Sequence, residues 1–340
     1  MSKISKPLEL NASHDAQSIE AQILEHHAAL KTQRVKPLPN SHSISLKDFA
    51  LAHKLSFQDG VPGELNALYQ GVLNACAKLE FTQLDCQILA RAWVKQSVRC
   101  GEFDASLWPF ARVDFGLPLF ERTDPSSDQH FKACPQNLGL YAVLPGADWV
   151  KRMASVGVPT LQLRFKSEDK SLIEKEIEKS VRAVEGMHSH LFINDHWELA
   201  LKYGAYGVHL GQEDLESLSP QDWTRMRESG LRLGISTHGY SEMIRADLIK
   251  PSYIAMGAVF PTTLKKMQTP PQGLARLRQY ALLMKDYPLV AIGGITEEDF
   301  PGVLSSGVGS VAVVRAIIQD VNPEQKAKEL GEIIKNQLRT

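Results

Sequence analysis

The stretch HLFINDHWELALKYGAYGVHLG, residues 190–211, decides the fold of the larger part of the chain. It begins and ends with short apolar runs, 190–194 and 207–211, and the segment 196–203 between them has the length of a short helix. Short apolar strands that alternate with amphipathic helices are typical of α/β proteins with parallel strands. The stretch therefore predicts one strand–helix–strand unit.

The same alternation continues on both sides of this unit. The predicted strands are residues 138–143, 160–164, 190–194, 207–211, 231–236, 252–257, 289–294 and 310–314. Eight strands, each followed by a helix, in about 200 residues match a (β/α)8 TIM barrel. A doubly wound open sheet fits the same alternation, but the count of eight and the polar residues at the strand ends favour the barrel. The predicted fold class is α/β, a TIM barrel preceded by a small, mostly helical N-terminal region.

The residues before the barrel give the predicted domain boundaries. Residues 1–60 form a polar, His-rich segment, whose histidines fit no compact set of metal ligands and are expected to be solvated at the surface. These are His14, His26, His27, His42 and His53. Residues 61–135 are predicted to hold two helices, near 63–100, and then a linker rich in Pro, Asp and Ser. Residues 136–340 are the predicted barrel domain.

Composition excludes several classes of partner. The chain has 340 residues, of which 43% are hydrophobic and 23% charged, as in a globular protein with a buried core. The formal net charge of -1 and a pI near 6.8 predict no binding to nucleic acid or to an anionic membrane surface. No secretory leader and no apolar stretch of about 20 residues is recognisable, so no membrane span is expected.

Cysteine spacing predicts the redox compartment. The four cysteines are Cys76, Cys86, Cys100 and Cys134, and no two of them form a CxxC pair. This spacing indicates reduced thiols and neither a zinc site nor a disulfide framework, which predicts a cytoplasmic protein. The expected partners are small-molecule substrates, and a homo-oligomer is compatible with the sequence.

Polar side chains, and backbone that could bind phosphate, follow the predicted strands at the end where barrel enzymes carry their chemistry. In strand order they are Gln162, Arg164, Lys166, Asn194, Asp195, Asp214, Ser236, Thr262, Lys265, Gly294, Val314 and Arg315. Cations, two acids and glycine-rich backbone therefore converge on one face of the barrel. This set predicts a substrate with several phosphates and a divalent cation.

The two acids are the candidate metal ligands. Asp195 and Asp214 follow neighbouring predicted strands, and Mg²⁺ prefers carboxylate oxygens completed by water and phosphate. Either acid could instead cap the helix that follows it, because Asp is favoured at helix N-termini. Two such acids beside cations favour the magnesium site.

Three cations are candidates for binding a departing diphosphate. Arg164 and Lys166 lie two residues apart and should face the same way, although a strand-end ion pair with Glu168 is an alternative. Lys265 lies in a long loop, residues 260–274, that is expected to act as a lid over the substrate. The alternative for Lys265 is a solvated lysine, the role expected of Lys266.

Two further features suggest ligand contacts. Gly293-Gly294 and Val314-Arg315 follow strands seven and eight, where barrels bind phosphate through backbone N–H groups. A tight turn would explain the glycine pair equally well. His209, in the middle of strand four, is either an inward histidine held by hydrogen bonds or a contact to an aromatic substrate.

These motifs together resemble the thiamine-phosphate synthase family, in order and in register over about residues 137–320. They are QLRFK (162–166), FINDHWELALKYGAYGVHLGQEDL (192–215), LGISTH (233–238), YIAMGAVFPT (253–262), PQGL (271–274), VAIGGI (290–295) and VAVVRAI (311–317). The resemblance implies Mg²⁺-dependent condensation of 4-amino-2-methyl-5-pyrimidinylmethyl diphosphate with a thiazole phosphate, in which the diphosphate leaves first and pyrophosphate is released.

The resemblance also implies a role for each candidate residue. Gln162 and Ser236 would contact the pyrimidine, and Asp195 and Asp214 would hold magnesium. The diphosphate would be bound by Arg164, Lys166, Asn194 and Lys265, with Arg164, Lys166 and Lys265 catalytic. The thiazole phosphate would be bound by Thr262, Gly294, Val314 and Arg315.

This chain departs from the family pattern at two positions. Leu264 stands where a second threonine is usual, and Arg315 stands where a serine is common. Both changes concern the binding of the thiazole phosphate. A related barrel that aromatises the thiazole without condensing it is an alternative enzyme, but it would not need the diphosphate ligands. A non-catalytic regulator is the alternative from another class, and it should have lost the charged ligands.

Residues 1–135 lie outside this resemblance. The predicted helices with PFARVDFGLPLF (109–120) are faintly similar to the C-terminal part of a hydroxymethylpyrimidine-phosphate kinase. The Gly-x-Gly-Asp motif of that kinase is missing, since DGVPGE (59–64) has Glu64 after Gly63. The segment is therefore interpreted as a degenerate remnant or docking element without activity. A chain starting near Gln136 is expected to keep its chemistry.

Overall fold

The computed structural model describes residues 15–31, 63–118, 130–263 and 269–339. The helices, in chain order, are α1 Ala16–His27, α2 Asn66–Lys78, α3 Gln83–Cys100, α4 Ala147–Ser155, α5 Lys170–Val184, α6 Trp197–Tyr203, α7 Gln212–Ser217, α8 Pro220–Glu228, α9 Tyr240–Ile249, α10 Gly273–Leu283, α11 Phe300–Leu304, α12 Arg315–Ile318 and α13 Pro323–Gln337. Among the described residues, no helix is both long enough and apolar enough to cross a membrane.

The strands form a closed parallel barrel in which each strand pairs with the next and the last pairs with the first. They are β1 Gly139–Leu144, β2 Thr160–Leu163, β3 His190–Asn194, β4 Gly207–Leu210, β5 Arg232–Thr237, β6 Tyr253–Met256, β7 Leu289–Ile292 and β8 Ser310–Val313. The closed barrel confirms the predicted (β/α)8 fold, and every predicted strand has its counterpart within a few residues. The open-sheet alternative is wrong.

The chain divides into two compact units. The second unit is residues 122–238, 249–267 and 284–340 and contains all eight strands. The first unit is residues 1–121 together with 239–248 and 268–283. Helices α9 and α10, which follow β5 and β6 in the chain, are therefore grouped with the N-terminal helices.

Large aromatic side chains fill the interior of the barrel. Tyr141, Phe192 and Tyr253 are buried in one cluster with smaller apolar residues. Gly234 makes room for this cluster, since a Cβ at that position would lie 2.0 Å from Cζ of Tyr253. The inward face of the barrel is therefore packed with aromatic rings, and two of them, Tyr141 and Tyr253, carry hydroxyl groups.

The first unit is a helical layer with its own apolar core. Helices α1 and α2 approach closely at Gly71, where a Cβ would lie 2.7 Å from Cγ2 of Ile19. Ile23, Leu68 and Trp93 are fully buried in the same unit. This packing confirms that the region before the barrel is helical.

Buried polar groups join the N-terminal helices to α9 and α10 within this unit. Arg112 donates two hydrogen bonds, of 2.8 and 2.9 Å, to the carboxylate of Asp247. Asp85 accepts a 2.8 Å bond from the backbone N–H of Ser241 in the first turn of α9. Arg276 on α10 donates to the carbonyls of Leu30 at 2.8 Å and Leu79 at 2.6 Å. Residues far apart in sequence thus satisfy one another's buried polar groups.

An aromatic cluster fills the space around the start of α9. Tyr240 stacks on Phe115 at 5.4 Å between centroids and accepts a 2.8 Å hydrogen bond from the indole N–H of Trp108. His27 packs edge-on against Trp108 and its Nε2 lies 2.9 Å from the carbonyl of Ala105. The expectation of a solvated histidine is therefore wrong for His27, whose pKa is lowered mainly by burial. His14, His42 and His53 lie outside the described residues.

Candidate active site

One cavity of about 820 Å³ is lined by residues that follow the barrel strands. Its walls include almost every residue proposed from the sequence, namely Gln162, Arg164, Lys166, Asn194, Asp195, Asp214, Ser236, Thr262, Gly294, Val314 and Arg315. Lys265 and Leu264 lie outside the described residues. The volume is in the range of cavities that enclose small organic ligands.

The two candidate metal ligands lie side by side in this cavity. Asp195 follows β3 directly and has a positive φ of 66°, a backbone conformation that Asp tolerates better than most residues. Burial and the neighbouring Asp214 carboxylate together raise the pKa of the Asp195 carboxyl to about 6, against the opposing charges of Lys166 and Arg164. Two carboxylates that repel each other at a cavity wall favour a bound cation.

Asp214 also caps a helix, as the alternative interpretation required. It occupies the first turn of α7, and its Oδ2 accepts a 2.7 Å hydrogen bond from the backbone N–H of Gly211. The described residues contain no group of three or more His, Cys, Asp or Glu side chains placed to hold a metal ion. Two carboxylates nevertheless fit Mg²⁺, which commonly takes one or two carboxylates and completes its octahedron with water and substrate phosphate.

The two described cations lie beside these acids. Arg164 is half-buried and Lys166 is exposed, and both oppose the raised pKa of Asp195 through their positive charge. Within the described part of the chain, neither Arg164 nor Lys166 forms an ion pair with an acid. The predicted alternative, an ion pair with Glu168, is therefore absent from the described structure, and both cations face the cavity.

The glycine pair after β7 has a conformation that other residues rarely adopt. The φ angles of Gly293 and Gly294 are 99° and 70°. A Cβ at Gly294 would lie 2.6 Å from the carbonyl oxygens of Phe260 and Pro261. The tight turn proposed as an alternative is therefore present, and the same two residues line the cavity. Close packing of backbone on backbone keeps this wall free of side chains.

Arg315 links two parts of the same wall. It begins α12 immediately after β8, and its Nη1 donates a 3.3 Å hydrogen bond to Oγ1 of Thr263. Thr262, the preceding residue, also lines the cavity. The arginine that replaces the family's usual serine thus lies beside the loop that follows β6.

A chain of hydrogen bonds crosses the floor of the cavity, and sequence reasoning missed its two tyrosines. Gln162 donates to Oδ1 of Asn194 at 2.7 Å and accepts from the hydroxyl of Tyr141 at 3.0 Å. The hydroxyls of Tyr141 and Tyr253 are 2.7 Å apart. His209 joins Tyr253 through Nδ1 at 2.7 Å and Ser236 through Nε2 at 2.8 Å.

This hydrogen-bond network bears on both alternatives for His209. The imidazole is buried and hydrogen-bonded through both nitrogens, as the structural alternative predicted, and it also lines the cavity. Tyr141 and Tyr253 lie on β1 and β6, where their apolar neighbours made them look like ordinary core residues. The signal that could have identified them is the alternation of inward positions along each strand.

Known proteins resemble the chain over this same region. The family model described as thiamine monophosphate synthase matches residues 141–317, more than half of the chain. A thiamine-phosphate synthase of Neisseria meningitidis is 50% identical over 191 residues, covering 56% of this chain and 92% of the relative. One of Serratia proteamaculans is 47% identical over 204 residues, covering 60% and 95%.

A solved structure agrees with these sequence matches. The thiamine phosphate pyrophosphorylase from Pyrococcus furiosus superposes with a TM-score of 0.53 at 27% identity, covering 60% of this chain and 98% of that one. The resemblance stated from the motifs is thus confirmed. With its closed barrel and polar cavity, the chain belongs to the thiamine monophosphate synthase family, whose members are transferases that release pyrophosphate.

Proposed function

We propose that this chain condenses 4-amino-2-methyl-5-pyrimidinylmethyl diphosphate with a thiazole phosphate to give thiamine phosphate and pyrophosphate, and that Mg²⁺ is required. The observation that carries the proposal is a cavity whose walls bring the cations Arg164, Lys166 and Arg315 together with the acids Asp195 and Asp214 and with the backbone turn at Gly293-Gly294. Such a site suits two phosphorylated reactants and a negatively charged leaving group.

The proposed reaction is dissociative. The bond between the pyrimidinylmethyl carbon and the diphosphate oxygen breaks, and its electron pair leaves on the oxygen. The thiazole nitrogen then donates its lone pair to the resulting carbon cation and forms the new C–N bond. Arg164 and Lys166 would stabilise the charge that grows on the diphosphate, and Asn194 would orient it. Lys265 is proposed as a third cation for the same group.

Asp195 and Asp214 would hold the magnesium ion. Bound there, the ion would neutralise part of the diphosphate charge. Support comes from the donor set, since both groups supply hard oxygen, and from the pKa of Asp195, which burial and then the repulsion from Asp214 raise. A cation between them would relieve this repulsion.

The two organic rings are assigned to different parts of the cavity. Gln162 and Ser236 would face the pyrimidine, since both present polar groups at the floor of the cavity. The thiazole phosphate would lie against Thr262, Gly294, Val314 and Arg315. Close backbone packing at Gly294 and the guanidinium of Arg315 support a phosphate there.

The remaining proposals concern the rest of the chain. We propose that residues 136–340 carry all of the chemistry and that residues 1–135 contribute none, since no described residue before 136 lines the cavity. None of the four cysteines is in a disulfide, which supports the cytoplasm as the location. Proposed partners are the small-molecule substrates, and a homo-oligomer is compatible with them.

A product assay tests the central proposal. The full chain is incubated with both reactants and Mg²⁺, and thiamine phosphate and pyrophosphate are measured together. We expect the two in equal amounts, and none when EDTA replaces Mg²⁺. Pyrophosphate without thiamine phosphate would mean that water, and not the thiazole nitrogen, attacks the pyrimidinylmethyl cation. A parallel reaction supplies the non-aromatic tautomer of the thiazole phosphate, and its aromatisation without either product would favour the relative that only aromatises the thiazole.

A further inference from the structure

The hydrogen-bond chain on the cavity floor runs from Asn194 through Gln162, Tyr141, Tyr253 and His209 to Ser236. Every link lies between 2.7 and 3.0 Å. Both of its ends line the cavity, whereas the two tyrosines between them are almost completely buried. This hydrogen-bond network therefore connects two points of the ligand site through the core of the barrel.

The distances alone leave the donor open at the Tyr141–Tyr253 link and at both links of His209, but counting protons from the Gln162 amide assigns it. The amide N–H of Gln162 donates to Asn194, so the Gln162 carbonyl accepts the hydroxyl proton of Tyr141. A tyrosine hydroxyl has one proton, so Tyr141 must in turn accept from Tyr253. Tyr253 has then used its proton, and its oxygen accepts from Nδ1–H of His209.

The direction of the chain determines what Ser236 offers to a ligand. A neutral imidazole carries one N–H, so with the proton on Nδ1 the Nε2 of His209 is an acceptor. Ser236 therefore donates its hydroxyl proton to His209. The Ser236 oxygen then has only lone pairs to present to the cavity. Ser236 thus acts toward a ligand as an acceptor.

The surroundings keep this direction in place. Burial raises the pKa of both Tyr141 and Tyr253, so the two hydroxyls keep their protons. Reversing the direction would require the Gln162 amide to turn over and every bond in the chain to exchange donor and acceptor. A buried donor or acceptor that loses its partner destabilises the site. The two ends of the chain are therefore coupled.

We propose that Tyr141, Tyr253 and His209 are positioning residues that fix Ser236 as a hydrogen-bond acceptor and so select a pyrimidine whose facing substituent is an N–H donor. The inference rests on the function proposed above, in which Ser236 faces the aminopyrimidine. An amino group at position 4 donates to Ser236. An oxo group at that position presents lone pairs against lone pairs and is rejected.

Removing one hydroxyl from the hydrogen-bond network should allow Ser236 to act as a donor. In Tyr253→Phe the Nδ1–H of His209 loses the hydroxyl of Tyr253 as its acceptor, so the network no longer holds the imidazole proton on Nδ1. With the proton on Nε2, His209 donates to Ser236, and the serine hydroxyl can donate to an oxo group. Tyr206→Phe is the matched control, because Tyr206 packs against the same aromatic cluster but does not belong to the chain.

Calorimetric titration with two probes tests the inference. The probes are 4-amino-2-methyl-5-pyrimidinylmethyl diphosphate and its 4-oxo counterpart, with Mg²⁺ and without thiazole phosphate. We expect the wild-type chain and Tyr206→Phe to bind the amino probe at least roughly 100-fold more tightly, the scale on which polar sites reject a mismatched group. Tyr253→Phe should lower this ratio at least about tenfold.

The possible results separate the inference from the proposed function. Equal weakening of both probes in Tyr253→Phe would mean that the tyrosine only supports the core, and the inference would be overturned. The same holds if the wild-type chain binds both probes equally. Binding of neither probe to the wild-type chain would overturn the proposed function itself. If Tyr253→Phe does not fold, Tyr141→Phe removes the next hydroxyl and should lower the ratio in the same way.

Discussion

Asp214 has two roles in our interpretation, as a helix cap and as a metal ligand, and one substitution separates them. Asp214→Asn keeps an oxygen that can accept from the N–H of Gly211 but removes the negative charge. Asp214→Ala removes both. Loss of the cap alone should cost about 1 kcal/mol of stability. Loss of a group that holds the metal ion should lower kcat at least roughly 100-fold, as for other charge-stabilising groups.

Asp222 provides a matched control for this substitution. It lies at the same position of α8 and accepts a 2.9 Å bond from the N–H of Ser219, but it does not line the cavity. We expect Asp222→Asn to be fully active. Asp214→Asn should unfold at the wild-type temperature and have little turnover at any Mg²⁺ concentration. The assay is kcat against Mg²⁺ concentration, together with thermal unfolding. Wild-type turnover in Asp214→Asn would show that Asp214 is only a cap.

Three further outcomes are expected from other parts of the chain. Lys265→Ala should lower kcat at least roughly 100-fold while Lys266→Ala has almost no effect, and equal kcat values for the two variants would contradict the lid. Arg112→Ala should lower the free energy of unfolding by about 3–5 kcal/mol, because it removes one side of a buried ion pair, whereas Arg182→Ala in an exposed pair should cost less than about 1 kcal/mol. Urea titrations measure the free energy of unfolding of both variants, and equal losses in Arg112→Ala and Arg182→Ala would contradict this reasoning. A chain that begins at residue 136 should keep its chemistry while it is folded, but aggregate or unfold at lower temperature. A folded chain without activity, or one with unchanged thermal unfolding, would contradict that expectation.

The barrel could be predicted because its signal is local. Each strand is a short apolar run, and each run is followed by polar residues before the next helix, as in 190–211. Parallel strands in a closed barrel bring all their C-terminal ends to one face, so Asp195 and Arg315 could be expected in one cavity although they are far apart in the chain. The closed parallel topology therefore places the residues that follow all eight strands around one cavity.

The features that the sequence did not reveal depend on contacts between distant segments. Asp85 and Ser241, or Arg112 and Asp247, are separated by more than a hundred residues, and no local pattern links them. For the same reason the grouping of α9 and α10 with the N-terminal helices was not anticipated. Tyr141 belongs to this class as well, because its role appears only once β6 brings another tyrosine hydroxyl to it.

The grouping of residues 239–248 and 268–283 with the N-terminal helices has a consequence for synthesis on the ribosome. Helices α1 to α3 emerge long before their partners α9 and α10 are translated. At about 5–20 residues per second, the delay between α3 and α9 is on the order of ten seconds. During that time the surfaces that will meet Tyr240 and Arg276 remain uncovered. The order of translation therefore exposes these apolar surfaces for that interval, and slow codons within it should increase aggregation of the nascent chain.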